Sequence, residues 1–167
     1  RSQVRGAFTD FTVDVLNNVY VLDNSGSLKK MNAAGDSMGL FNEVRRFGKL
    51  SYIDAGNPLK TLLFYRDFST MVVLDRFLGR RDVMDLRKLG IFTAKAVGLA
   101  FDNGFWVYDE QEARIKHLAE NGSVLDQFTD FRLLFDTMPS PVRIVDQNKY
   151  LYLYDPKRGF FVFDYFG

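Results

Sequence analysis

Four times along the chain an alternating apolar run ends in aspartate: VYVLD at Asp23, LLFYRD at Asp67, FWVYD at Asp109 and YLYLYD at Asp155. The steps between these aspartates are 44, 42 and 46 residues. The end of the following run keeps the same period, with Asn32, Asp75, Ala119 and Asp164 spaced by 43, 44 and 45 residues. A fixed period of this length constrains the fold strongly. Each unit is one supersecondary element that must bury its apolar side against a neighbour of the same kind.

The pattern inside a unit is that of strands. Phe11, Val13 and Val15 alternate, followed by Val19 and Val21, then Leu28 and Met31, then Met38 and Leu40. Period-two alternation interrupted by a turn about every ten residues marks an all-β repeat. The turns carry residues that tolerate positive φ or start a reversal: Asn17-Asn18, Asn24-Ser25-Gly26, Asp102-Asn103-Gly104, Asn121-Gly122 and Pro156 to Gly159. Helical repeats of similar length, HEAT and armadillo, have the wrong periodicity. Four strands per unit is the period of a β-propeller blade, and a β-sandwich with coincidental spacing is the competing fold. The expected architecture is a single all-β propeller domain over residues 1–167, with four-stranded antiparallel blades at roughly 8–46, 47–89, 90–137 and an incomplete 138–167.

An Asn turn, an aromatic-rich run ending in Asp, a polar turn and then LKKM or RIKHL before a Gly turn resembles the NHL-type β-propeller repeat. It resembles in particular the exported five- or six-bladed propellers of bacteria. The resemblance implies fold, export to the periplasm or cell envelope, and ring closure by strands from both chain ends. It assigns no functional residues, because the matching positions are blade positions. The second unit departs most, since LLFYRDFSTMVVLD has no Gly-type first turn.

The fourth unit shows strands near Val142–Val145, Tyr150–Tyr154 and Phe160–Asp164, and the chain stops at Gly167 where a fourth would begin. Two readings follow. The chain is part of a five- or six-bladed ring, or it is a four-bladed ring whose missing outer strand comes from Gln3–Phe8. Arg1 stands where an initiating Met would, which reads as a processed or trimmed start.

Composition removes several classes of function. The net charge of +1 gives no field to draw in nucleic acid or an anionic membrane. Apolar runs such as Leu62–Tyr65 and Tyr150–Tyr154 are far too short to span a bilayer, although a lipid anchor outside this sequence stays open. There is no cysteine, hence no disulfide and no thiolate metal site. With one histidine as well, zinc chemistry of the usual kind is not expected, and no metal or other cofactor is assigned. Neither a phosphate-binding glycine loop nor a G-x-S-x-G elbow is present.

Asp14, Asp54, Asp102 and Asp146 lie in or just after the first strand of each unit. They could ring a channel with carboxylates, but recurrence in every unit favours turn residues bonded to backbone amides. Asp23, Asp67, Asp109 and Asp155 are read as caps of the second turn. His117 is expected as a surface or rim residue, not a base. Trp106, Tyr108, Tyr152 and Tyr154 alternate in strands and are expected to be mostly core. The basic cluster at Arg45, Arg46, Arg76, Arg80, Arg81 and Arg87, interleaved with Asp82 and Asp85, reads as a solvated edge.

No catalytic residue is assigned. The expected function is a binding or assembly module that engages a protein partner through Arg45, Arg46, Phe47, Arg80, Arg81, Arg132 and Phe135, with Phe131 as a further loop aromatic. A propeller hydrolase or lyase with its site at the central channel, or a glycan binder using exposed aromatics, are the alternatives.

Overall fold

The computed structural model describes residues 3–167, and its regular structure is almost entirely β. The chain divides into two compact units, Arg1–Met84 and Asp85–Gly167.

The first unit holds two antiparallel sheets. One is β1 (Phe8–Val13), β2 (Val19–Asp23), β3 (Leu28–Met31) and β4 (Ser37–Phe41); the other is β5 (Tyr52–Asn57), β6 (Lys60–Tyr65), β7 (Thr70–Asp75) and β8 (Arg80–Asp85). A single turn of helix, α1 (Val44–Phe47), follows β4. The second unit holds β9 (Ala94–Leu99), β10 (Phe105–Asp109), β11 (Arg114–Leu118) and β12 (Val124–Gln127) in one sheet. Its other sheet has three strands, β13 (Arg143–Gln147), β14 (Tyr150–Asp155) and β15 (Gly159–Asp164). In all four sheets the strands pair in chain order, the meander of a propeller blade. The fold is therefore of the expected all-β propeller class, with four blade sheets among the described residues.

The turn chemistry follows the side chains. Asp23 Oδ1 accepts the amides of Ser25 and Ser27, at 2.8 and 3.0 Å, and so closes the β2–β3 reversal. Asp109 and Asp155 do the same through the amides of Gln111 and Lys157. The second sheet differs, as the missing glycine foretells. β6 ends at Tyr65, and Asp67 lies within a 3-10 turn, Arg66–Phe68, that closes on Ser69 at φ 48°. There the Asx role moves one turn on, to Asp75, which accepts from Phe77 and Gly79.

Tyr20, Leu22, Leu28 and Phe41 of the first sheet pack on Ile53, Leu63, Val72 and Leu74 of the second. Burial of each such side chain contributes about 1.5–3 kcal/mol. In the second unit Ala96, Trp106, Tyr108 and Ile115 meet Ile144, Leu151 and Leu153. Gly98 on β9 makes this approach possible, because a Cβ there would stand 2.7 Å from the Ile144 carbonyl oxygen.

Residues 3–7 form no strand, so the outer strand envisaged at Gln3–Phe8 is not formed there. Among the described residues β15 pairs with β14 alone.

Candidate functional site

The carboxylates that follow or end the first strands are turn and tie residues. Asp14 Oδ1 accepts the amides of Leu16 and Asn18, both at 2.9 Å. Its Oδ2 accepts Asn18 Nδ2 at 2.8 Å and the Tyr20 hydroxyl at 3.1 Å. Burial pushes this carboxyl up, but the bonds from Asn18, Leu16 and Tyr20 outweigh it and hold it below its ordinary value.

Lys30 reaches the same place from β3 and is 1% exposed. Its ammonium donates to the carbonyls of Arg76 (2.9 Å) and Pro58 (3.3 Å), lies 3.7 Å from Asp14, and sits 4.9 Å over the Tyr20 ring. Burial lowers its pKa, and Asp14 only partly offsets that. The Tyr20 hydroxyl, buried beside the Asp14 charge, is pushed up to about 12. With every group held by a partner, this cluster ties the two sheets of the first unit together.

The corresponding place in the second unit carries different chemistry. Trp106 pairs across the ladder with His117, as Tyr20 pairs with Lys30. His117 stacks on Trp106, with centroids 4.2 Å apart, and its Nε2 lies 3.1 Å from Asp102 Oδ1. The expectation of a surface histidine is corrected: His117 is 8% exposed, because its side chain packs against Trp106. Asp146 joins the third and fourth sheets. It accepts from Trp106 Nε1 at 2.8 Å, the Phe101 amide at 3.0 Å and the Tyr165 hydroxyl at 2.6 Å. Asp54 accepts the Gly56 amide at 2.8 Å. Among the described residues no group of three or more His, Cys, Asp or Glu side chains could hold a metal ion.

The candidate partner residues divide. Arg80 grips Glu43 with two bonds of 2.6 and 2.8 Å, and Arg46 lies 3.6 Å from the same carboxylate. Arg45 and Arg81 are exposed. The structure thus brings Arg46 and Arg80 together on Glu43. Phe47 does not belong with them: it is 6% exposed, in contact with Tyr65 in the core of the first unit. Arg132 is exposed but forks onto Asp130, whose carboxyl that pairing pulls down to about 2. Phe135 is half-buried against Phe131 and Phe161. Phe131, expected as a loop aromatic, is fully buried and stacks on Phe163.

A different surface was not anticipated. On β14 the leucines Leu151 and Leu153 are buried while Tyr150, Tyr152 and Tyr154 are exposed, against the expectation that Tyr152 and Tyr154 are core. Their ladder neighbours on the same face are Val145, Val162 and Phe160, with Arg143, Gln147 and Asp164 at the margin. Phe160 is 71% and Val162 54% exposed. YLYLY gave no signal of this, since alternation of two apolar residue types does not reveal which side is covered. The first unit has another apolar feature, an open groove of about 440 Å³ lined by Val4, Phe8, Phe11, Val19 and Val21.

No protein-family model and no curated protein sequence matches the chain. Solved structures do. A streptogramin B lyase superposes with a TM-score of 0.59 at 14% identity, covering 92% of this chain and 53% of that one. BamB from Moraxella catarrhalis gives 0.61 at 12% identity, covering 93% and 42%. A luciferin-regenerating enzyme gives 0.59 at 13% identity, covering 89% and 53%. The chain spans about half the length of these structures. At such identities the likeness shows the propeller fold alone.

Proposed function

We propose that this chain is a non-catalytic, NHL-like propeller module that holds a protein partner in a bacterial cell envelope. The observation that carries this reading is the exposed aromatic face of β13–β15. Contiguous exposed apolar surface of this kind marks contact sites, and tyrosine supplies large contact area at low entropic cost. The polar clusters support it from the other side. The Asp14–Lys30 group is saturated with internal bonds, as a structural tie is, and His117 is packed on Trp106 with one bond to Asp102. Envelope location rests on the resemblance of the repeats. No helix among the described residues is long and apolar enough to cross a membrane.

Chemical cross-linking in envelope extracts, followed by identification of the captured protein, tests this. A Tyr152→Glu/Phe160→Glu double variant is expected to lose the capture, and an Arg80→Glu/Arg81→Glu variant to keep it. The opposite result moves the contact to the arginine edge of the first unit. Capture of nothing by the wild-type chain overturns the reading.

A second reading, a propeller lyase or hydrolase, draws on the lyase and the luciferin-regenerating enzyme among the similar structures. His117 with Asp102 is the pair that would serve it, and its burial against Trp106 weighs against this. Turnover of ester or glycoside substrates that disappears in His117→Ala would favour the enzyme.

A further inference from the structure

We infer that Lys30, Asp14 and Asn18 form a self-cross-linking site, at which the Lys30 amine condenses with the Asn18 carboxamide to join the two side chains by an amide bond. The site lies within the first sheet and stands apart from the aromatic face of β13–β15. Three side chains of the kinds this chemistry needs meet there, out of water. Lys30 on β3 is almost wholly buried, and Asp14 and Asn18, which flank the β1–β2 turn, are buried too. One oxygen, Asp14 Oδ2, touches both reactants: it lies 2.8 Å from Asn18 Nδ2 and 3.7 Å from Lys30 Nζ. The Tyr20 ring closes one side, 4.9 Å from Nζ. Groups held together in this way react as if in one molecule, with the cost of bringing them together already met by folding.

Lysine is a nucleophile only as the neutral amine, and desolvation favours that form. Burial lowers the pKa of Lys30; Asp14 and Asp75 oppose the shift and Arg76 assists it. A neutral amine keeps two N–H bonds, and the carbonyls of Arg76 and Pro58 stand ready to accept them. Its lone pair is then left for the side that Asp14 and Asn18 occupy. Asp14 begins as the carboxylate the reaction requires, because its bonds outweigh its burial. Nζ adds to Asn18 Cγ, and the carboxylate takes the proton that Nζ gives up. The carboxylate passes this proton to Nδ2, the Cγ–Nδ2 bond breaks, and ammonia leaves. Nothing is oxidised or reduced, and no co-reactant is needed. The chain has no cysteine, and this amide would close the loop from Asn18 to Lys30 as a disulfide does elsewhere. Lys116 on β11 is the contrast within the same molecule. It is also buried, but Asp109 at 2.8 Å and Glu112 at 3.0 Å outweigh burial, raise its pKa and hold it as the ammonium.

The test incubates the purified full chain at mildly alkaline pH, digests it with trypsin after denaturation, and reads the fragments by mass spectrometry. The expected product joins Gly6–Lys29 to Lys30–Arg45, is lighter than the two peptides together by one ammonia, and is uncut after Lys30. Its yield should rise with time, and with pH as the amine loses its proton. Asn18→Ala should give none of it, and Asp14→Asn should slow its formation about a hundredfold; circular dichroism checks that both variants keep the fold. Separate peptides only from the wild type, a junction at Lys116 instead, or a junction formed as fast in Asp14→Asn each overturn the inference. Loss of ammonia without the junction marks a succinimide at Asn103–Gly104 or Asn121–Gly122 and overturns it as well.

Discussion

Tyr20–Lys30 and Trp106–His117 occupy the same ladder position in their blades, each beside an aspartate that follows the first strand, yet they are built differently. Lys30 is almost wholly buried and is fixed by two carbonyls and one carboxylate. His117 spreads its contact over a flat ring and depends on one bond to an Asp102 side chain that is 32% exposed. The repeat prescribes where the pair stands, not its chemistry: Lys30 itself bonds to the neighbouring sheet, whereas in the second unit Trp106, not His117, makes that bond, to Asp146. A buried ion pair is harsh to break because the survivor is left uncompensated, whereas a stacked ring degrades more gently.

The sharpest break in that comparison is Lys30→Ala. Removing the ammonium strands the Asp14 carboxylate and two carbonyls, with an expected loss of about 3–5 kcal/mol by urea denaturation. Adding Asp14→Asn should recover part of it, and a strictly additive double mutant would show that the two groups are not coupled. Gly98→Ala comes next. Its Cβ would press on the Ile144 carbonyl, and overpacking of this kind costs about 1–3 kcal/mol. His117→Ala should lose less than Lys30→Ala, about 1–2 kcal/mol for the stacking and one hydrogen bond. A loss equal to that of Lys30→Ala would erase the distinction between the two pairs.

Acid sharpens the comparison further. Asp14 and Asp102 are both held below the ordinary carboxylate value of 3.8. A depressed carboxylate stabilises the fold fully above 3.8 and loses that contribution as pH falls through its lowered native value. The stability gap between wild type and Asp14→Asn should therefore shrink as pH drops through that window, as followed by denaturation at stepped pH. The smallest effect is expected at Arg80→Ala, which removes a surface pair with Glu43 worth about 0.2–1 kcal/mol.

The sequence carried the blades well, because period and alternation are imposed by the repeat itself. Asp23, Asp109 and Asp155 were legible as turn residues, since Asx geometry is local. Positions whose environment comes from another strand were not. Phe47 and Phe131 sit in segments that look like loops and are buried by neighbours far along the chain. His117 lies on a strand between a lysine and a leucine, and nothing local announces its stacking on Trp106. Tyr152 and Tyr154 failed in the other direction: a strand with two apolar faces is read as doubly buried, and only the structure shows one face open.

Cross-linking capture compared between the wild-type chain and the Tyr152→Glu/Phe160→Glu variant tests the account most directly. Loss of the captured protein in that variant, with capture kept in Arg80→Glu/Arg81→Glu, is the expected result; equal capture by all three chains would contradict a contact on the exposed face of β13–β15.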